Sequence, residues 1–250
     1  RKITAVITGR QYLRARQGEH SLVLLNTTEF ETLLGNGRLP LPARHAEHFA
    51  RVLRRSESWN AIIGNGQDHL CEAVMDRGEI RLLPENAGDV VSFTRRTGTV
   101  TIAQAWIKPK ALALVLMKCA EIGVDEIVLF DSEHSAPHSE KPQRIDAILE
   151  NACMQAYNPV KPVVRFAGSV QELRNAQIRT FFGDPNATLW LGPLSGGDTG
   201  CMFICGPEGG FSATEATSLA GFATGLLISE NVLRAETAAI IAAGILCLGK

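Results

Sequence analysis

The stretch Ile204–Glu215 reads ICGPEGGFSATE: an apolar run, then three glycines, a proline and a carboxylate within five positions, then a serine. Glycine lets the main chain turn sharply and lets a ligand approach the backbone with no Cβ in the way. Ser212, followed three residues later by Glu215, has the spacing of a capping box, so a helix is expected to open there. The preceding CMFIC (residues 201–205) reads as a buried strand. The loop then lies at the carboxyl end of a strand and just ahead of a helix, which is where open α/β sheets bind ligands. An ordinary strand-to-helix turn would use the same glycines for geometry alone, and spacing does not separate the two. A phosphate loop is excluded: there is no GxxxxGK[ST], the loop holds no lysine, and Glu208 would repel a phosphate.

Outward from this loop the pattern is α/β. KPKALALVLMKCAEIGVDEIVLF (108–130) reads as an apolar helix, a stop at Gly123 and a buried strand. KPQRIDAILENACMQA predicts a helix, VVRFA a strand, SVQELRNAQ a helix opened by Ser169 with Glu172, and TFFGD and GLLIS further strands. Alternating helices and strands imply βαβ units and a largely parallel sheet. Near the end, ISENVLRAETAAIIAAG (228–244) predicts a polar turn, then a helix of small residues headed by Arg234 and Glu236. Arg234 either forms an ion pair with an acid such as Glu236 or points at a nucleotide, because a buried guanidinium needs partners.

Residues 1–108 differ in character. SLVLLN, WNAIIGNGQ, HLCEAVM, EIRLLP and GTVTIAQAWI are short apolar runs punctuated by Gly, Asn, Asp and Pro, the pattern of a small β-rich barrel or sandwich. Gly64-Asn65-Gly66 predicts a tight turn. PARHAEHFARVLRR predicts a short helix that groups Arg51, Arg54 and Arg55, either as a solvated face or as a phosphate contact. This part carries 15 Lys and Arg against 11 Asp and Glu, a net +4; residues 109–250 carry 10 against 15, a net −5. A basic module on an acidic body suits RNA gripped beside a catalytic domain. The boundary is placed at IKPK, giving domains 1–108 and 109–250.

Composition sets outer bounds. With 45% apolar and 20% charged residues among 250, the chain reads as a globular protein. The longest apolar run, AAIIAAGILCLG, falls short of the roughly 20 residues that a bilayer span needs. RKITAVITGRQYLRAR lacks the pattern of a secretory signal, so a cytoplasmic protein is expected. Cys71, Cys119, Cys153, Cys201, Cys205 and Cys247 are scattered through apolar surroundings and read as reduced, small hydrophobes; no metal site is expected.

An acidic, glycine-rich loop fits a cationic nucleoside that backbone groups can read, and S-adenosylmethionine is such a ligand. KCAEIGVDEI (118–127), NACMQA (151–156), GPEGGFSATE (206–215) and VLRAETA (232–238), in this order and spacing, resemble the ribosomal RNA small-subunit methyltransferase E family of the SPOUT class. The resemblance covers residues 108–250 well and thins before them to HAEHFARVLR. It implies methylation of ring nitrogen N3 of a uridine in 16S rRNA. It also implies an α/β fold with a C-terminal trefoil knot, a homodimer that completes each site, and a small N-terminal PUA-like β-barrel for RNA. General topology rules would never propose the knot.

Carried over by position, the resemblance assigns S-adenosylmethionine to Phe182, to Gly206, Pro207, Gly209 and Gly210, and to the turn of Ile228, Ser229, Asn231, Val232 and Leu233. Arg234 becomes the contact to the uridine or its phosphate. Lys118, Glu121 and Gln155 line or brace the cleft, Lys118 and Gln155 toward RNA together with Arg51, Arg54 and Arg55. Glu121 or Glu208 is the base that takes the N3 proton. The chain departs from the family at Ser229-Glu230-Asn231 in place of Gly-Pro-Arg, at His134 and Asn158 in place of arginines, and at Met154 in place of a glutamate. Lost cations weaken RNA binding, so two alternatives stay open: a non-catalytic RNA-binding or ribosome-associated protein that kept the fold, and a methyltransferase of another RNA.

Overall fold

The structure, a computed structural model, describes residues 12–13, 19–46, 58–83, 90–92, 98–138, 140–192 and 200–248. The chain divides into two compact units, one of residues 1–95 with 153–160 and one of residues 96–152 with 161–250.

The short apolar runs of the first unit are strands: β1 (Ser21–Leu24), β2 (Arg38–Pro40), β3 (Trp59–Gly64), β4 (His69–Asp76), β5 (Glu79–Leu82) and β6 (Val91–Ser92). They form one sheet in the order β1-β3-β4-β5-β2, with β6 on β4; β1 and β3 are parallel and the other pairs antiparallel. Among the described residues nothing pairs β1 with β2. The turn expected at Gly64-Asn65-Gly66 is present, and the side-chain Oδ1 of Asn65 builds it by accepting the backbone N–H groups of Gln67, Asp68 and His69 at 2.9, 3.0 and 3.1 Å.

Helix α1 (Thr27–Asn36) lies outside our sequence expectations. Its stripe is short, and its start is encoded by Asn26 and Glu29, whose side chains accept each other's backbone N–H groups at 2.9 and 3.0 Å. Gly37 ends it at φ 72°. Phe30 and Leu33 pack into a core of Val23, Ile63, Met75 and Ile80, each such side chain contributing about 1.5–3 kcal/mol when fully buried. Residues 43–46 are helical, and His45 is buried with Nε2 2.8 Å from the Leu24 carbonyl. The rest of that expected helix, with Arg51, Arg54 and Arg55, lies outside the described residues.

The second unit holds β7 (Val100–Ala105), α2 (Pro109–Ile122), β8 (Glu126–Phe130), α3 (Pro142–Gln155), β9 (Val163–Ala167), β10 (Arg179–Gly183), β11 (Cys201–Cys205), α4 (Ala213–Ala220), β12 (Thr224–Leu226) and α5 (Ala235–Leu248). All six strands are parallel, in the order β12-β10-β11-β7-β8-β9. The α/β class expected from the sequence is therefore present. Strand β7, which we grouped with the N-terminal strands, belongs to this sheet: every one of its residues is buried, as a strand between two parallel neighbours requires. Pro109 at the first turn and Gly123 at φ 91° bound α2 as the sequence implies.

SVQELRNAQ is a correction. Only Val170–Leu173 coil, as a 3₁₀ turn; Ser169 makes no capping bond, and Glu172 instead accepts the Gly168 N–H at 2.9 Å. Asn175 then turns the chain by accepting the Gln177 N–H.

Both faces of the sheet are covered. Ala103, Ala105, Val128, Phe130, Met202 and Ile204 share one core with Val170, Leu173 and Leu219. The alternate residues Cys201, Phe203 and Cys205 are buried on the other face, where α5 packs on α2 and over β11 and β7. All six cysteines are buried and unbridged, and burial pushes the Cys71 thiol up to about 12. On edge strand β9, two nitrogens of Arg165 bond Glu126, which also accepts the Thr101 hydroxyl; the guanidinium holds that carboxyl below its ordinary range in spite of burial. No helix among the described residues is long and apolar enough to cross a membrane.

Candidate active site

From β7 the strand order runs to β8 and β9 on one side, then resumes at β10, β11 and β12 on the other. The sheet's switch point lies between β7 and β11, and the glycine loop leaves the carboxyl end of β11 there. Gln104 of β7 marks the spot. It is completely buried, its Nε2 donates to the carbonyls of Gly206 at 3.1 Å and Ala105 at 3.0 Å, and its Oε1 has no partner among the described residues. The carboxamide thus anchors the first peptide of the loop.

Three loops are tied together above this point. The Gly210 N–H donates to the Pro207 carbonyl at 3.0 Å with Gly210 at φ 74°, closing a tight turn. Glu208 Oε1 accepts the Lys108 N–H at 3.1 Å, where α2 begins without a side-chain cap of its own; a carboxylate there also suits the helix dipole. From the loop after β8, His134 Nδ1 lies 3.1 Å from the Gly210 carbonyl. The capping box read from the sequence is present, with Glu215 accepting the Ser212 N–H at 2.9 Å and Ser212 Oγ accepting the Glu215 N–H at 3.3 Å. The Glu215 carboxylate also accepts the Glu133 N–H at 3.0 Å and the Ser132 hydroxyl at 3.1 Å. Burial alone would raise its pKa, but these donors outweigh it and hold the carboxyl below its ordinary range.

Gly209 shows why the loop needs glycine: a Cβ there would sit 2.9 Å from the Cβ of His134. Gly209→Ala is expected to displace the His134 segment or the turn. Thermal unfolding should register the change as a loss of roughly 1–3 kcal/mol.

The neighbouring strand ends complete the edge. Phe182 of β10 is buried and meets Phe211 edge-on, with ring centroids 6.4 Å apart. A Cβ on Gly183 would lie 3.8 Å from Ile228. The Asp184 N–H donates to Leu226 at 3.1 Å, and Leu227 bonds both Leu189 and Leu191, at 2.7 and 2.8 Å. These bonds fix the chain just before the turn of residues 228–233. Inside it the Asn231 N–H donates to Ser229 Oγ at 3.1 Å; Ile228, Ser229 and Leu233 are half-buried and Val232 is exposed. Phe182, the Gly206–Gly210 loop and the 228–233 turn therefore come together on three adjacent strand ends, β12, β10 and β11.

The remaining expected residues lie on other elements. The Arg234 carbonyl accepts the Ala238 N–H at 3.0 Å, opening α5, while its side chain is 86% exposed and only 3.9 Å from Glu236. On α2, Lys118 Nζ bonds both oxygens of Glu121, at 2.9 and 2.8 Å. Gln155 is exposed at the end of α3. Met154 is buried, and Asn158 Oδ1 accepts the Val160 N–H at 3.1 Å. Our sequence reading missed Gln104 and the links from Glu215 to Ser132 and Glu133. A lone glutamine inside TIAQA was the available signal for the first.

Comparison with known proteins points the same way. A family model described as an RNA methyltransferase domain matches residues 94–247. The ribosomal RNA small subunit methyltransferase E of Rickettsia conorii is 27% identical over 221 residues, covering 84% of this chain and 89% of that one. A probable rRNA-methyltransferase from Porphyromonas gingivalis is 27% identical with a TM-score of 0.70, covering 89% of this chain and 95% of that chain. A ribosomal RNA small subunit methyltransferase E from Neisseria gonorrhoeae bound to S-adenosyl methionine shares the fold at 22% identity, with a TM-score of 0.72 and coverage of 90% and 95%.

Proposed function

Because this chain belongs to the RNA methyltransferase domain family, we propose that it moves a methyl group from S-adenosylmethionine to ring nitrogen N3 of a uridine in 16S rRNA, in the cytoplasm. One observation carries the reading: the glycine loop after β11 and the 228–233 turn after β12 flank the end of β10, which lies between those two strands at the carboxyl edge of one parallel sheet. The chemistry of that edge suits the donor. Glycines leave backbone N–H and C=O groups uncovered for an adenine edge, Ile228 and Leu233 supply apolar flanks, and the loops carry Glu208 and Glu230 but no cation to oppose a sulfonium. When bound, S-adenosylmethionine supplies a methyl carbon on an excellent leaving group. The chain's own task is to hold the uracil in line and to stabilise the charge that appears on its carbonyls as N3 loses its proton. Arg234 serves the second purpose, and Lys118 and Gln155 help retain the RNA.

The same reading makes the first unit a PUA-like RNA-binding barrel and the second, which includes β7, a SPOUT domain with a trefoil knot, and it makes the working unit a homodimer. Calorimetry with S-adenosylmethionine should give micromolar affinity, and small subunits from cells lacking the protein should lack one 3-methyluridine. Micromolar binding with an unchanged 3-methyluridine level would move the assignment to another RNA. No binding at all would favour the non-catalytic alternative that the Ser229-Glu230-Asn231 turn raises.

A further inference from the structure

We propose that His134 is the general base of methyl transfer, an inference that rests on the uridine-methyltransferase reading. The carboxylates first considered for this role are engaged: both oxygens of Glu121 bind Lys118, and Glu208 takes the Lys108 N–H at the start of α2. Glu215 is committed to its donors in the capping box and the β8 loop. His134 is arranged differently. Its ring lies against the glycine turn, with Nδ1 3.1 Å from the Gly210 carbonyl. A carbonyl only accepts, so Nδ1 carries the proton, and in the neutral ring Nε2 holds the free lone pair. The residue is exposed, so a proton taken up at Nε2 passes on to water. The charged and titratable groups on its own loop and on the segments tied to it are Asp131, Glu133 and His138, Glu208 on the glycine loop, Glu215 on α4 and Lys108 ahead of α2. Asp131 is paired with His138, which leaves the imidazole of His134 free of a carboxylate partner among the described residues.

The step balances. The N3 proton moves to Nε2, the electron pair left on N3 forms the bond to the methyl carbon, and the carbon–sulfur pair stays on sulfur as a neutral thioether. The imidazolium then releases its proton to solvent. Imidazole is the side chain whose charge changes nearest neutral pH, so it takes and returns a proton with the least mismatch.

The test uses the full chain, small ribosomal subunits lacking the modification, and His134→Asn, whose amide keeps a donor for the Gly210 carbonyl. The expected result is a fall in kcat of roughly 100-fold or more, with donor affinity by calorimetry and melting temperature unchanged. The rate of the unmodified chain is expected to rise with pH, and the variant is expected to lose that rise. Nitrogen NMR of the resting protein should show the proton on Nδ1 and a bare Nε2. Wild-type kcat and profile in His134→Asn would overturn the proposal. So would a neutral ring protonated on Nε2, or a wild-type rate that falls as pH rises, as a contact by the charged imidazolium would give. An unmodified chain that binds the donor yet methylates no small subunit removes the underlying reading, and the base with it.

Discussion

Arg234→Ala is expected to lower methyl transfer roughly 100- to 1,000-fold, the cost of removing one donor from a developing oxyanion, while donor affinity and melting temperature stay where they were. The sequence left two roles for this arginine. At 3.9 Å from Glu236 and 86% exposed, the side chain makes an ion pair of small consequence, since exposed pairs of this kind contribute about 0–1 kcal/mol. Among the described residues its backbone carbonyl accepts the Ala238 N–H in the first turn of α5, and alanine keeps that. A guanidinium held at a helix start beside the 228–233 turn, with its head in water, is available to an incoming nucleotide. Single-turnover transfer from labelled S-adenosylmethionine reads the loss. A melting temperature several degrees lower with turnover retained would restore the ion-pair role instead.

Glu215→Ala should cost about 2–4 kcal/mol, because it removes half of a capping box and leaves two backbone N–H groups and a serine hydroxyl, all in part-buried bonds, without their acceptor. Ser212, Ser132 and Glu133 all lose the carboxylate at once. In a unit of this size that is roughly 5–15 °C of melting temperature. The same group sets an acid limit. Its folded-state pKa lies below the ordinary glutamate value of 4.5, so its contribution is present above that value and is lost as pH falls through the folded-state pKa. Glu126, lowered by Arg165, acts in the same direction. Unfolding curves between pH 6 and pH 3 should therefore steepen in the parent chain and flatten in Glu215→Ala. Glu215→Gln keeps an acceptor but not the charge, and should flatten the acid limb at a smaller cost near neutral pH.

How far the residues speak for themselves depends on range. Gly123, Ser212 with Glu215, and Pro109 act within one turn of chain, and each marks a boundary where the sequence implies it. The alternation in CMFIC and EIVLF fixes buried strands for the same reason. SVQELRNAQ failed because Glu172 found a backbone partner at Gly168 that no local pattern announces. Strand β7 was assigned to the wrong group because a buried parallel strand and a barrel strand share one composition, and only its partners β8 and β11 distinguish them. The grouping of Phe182, the glycine loop and the 228–233 turn followed from the family resemblance; the residues themselves gave only separate turns. Gln104 stayed hidden because its partner, Gly206, lies 102 positions further along.

That separation bears on how the protein is made. Strand β10 leaves the ribosome before either of its neighbours, β11 and β12, exists, and β7 offers an open flank until β11 arrives. Pairings of such long reach close slowly, and uncovered flanks invite other chains. A nascent chain halted short of residue 200 therefore holds β10 with no partner, β7 paired on one flank only, and neither of the two turns proposed to hold the donor, which makes the interval before Cys201 emerges the one in which these strands are most exposed to other chains.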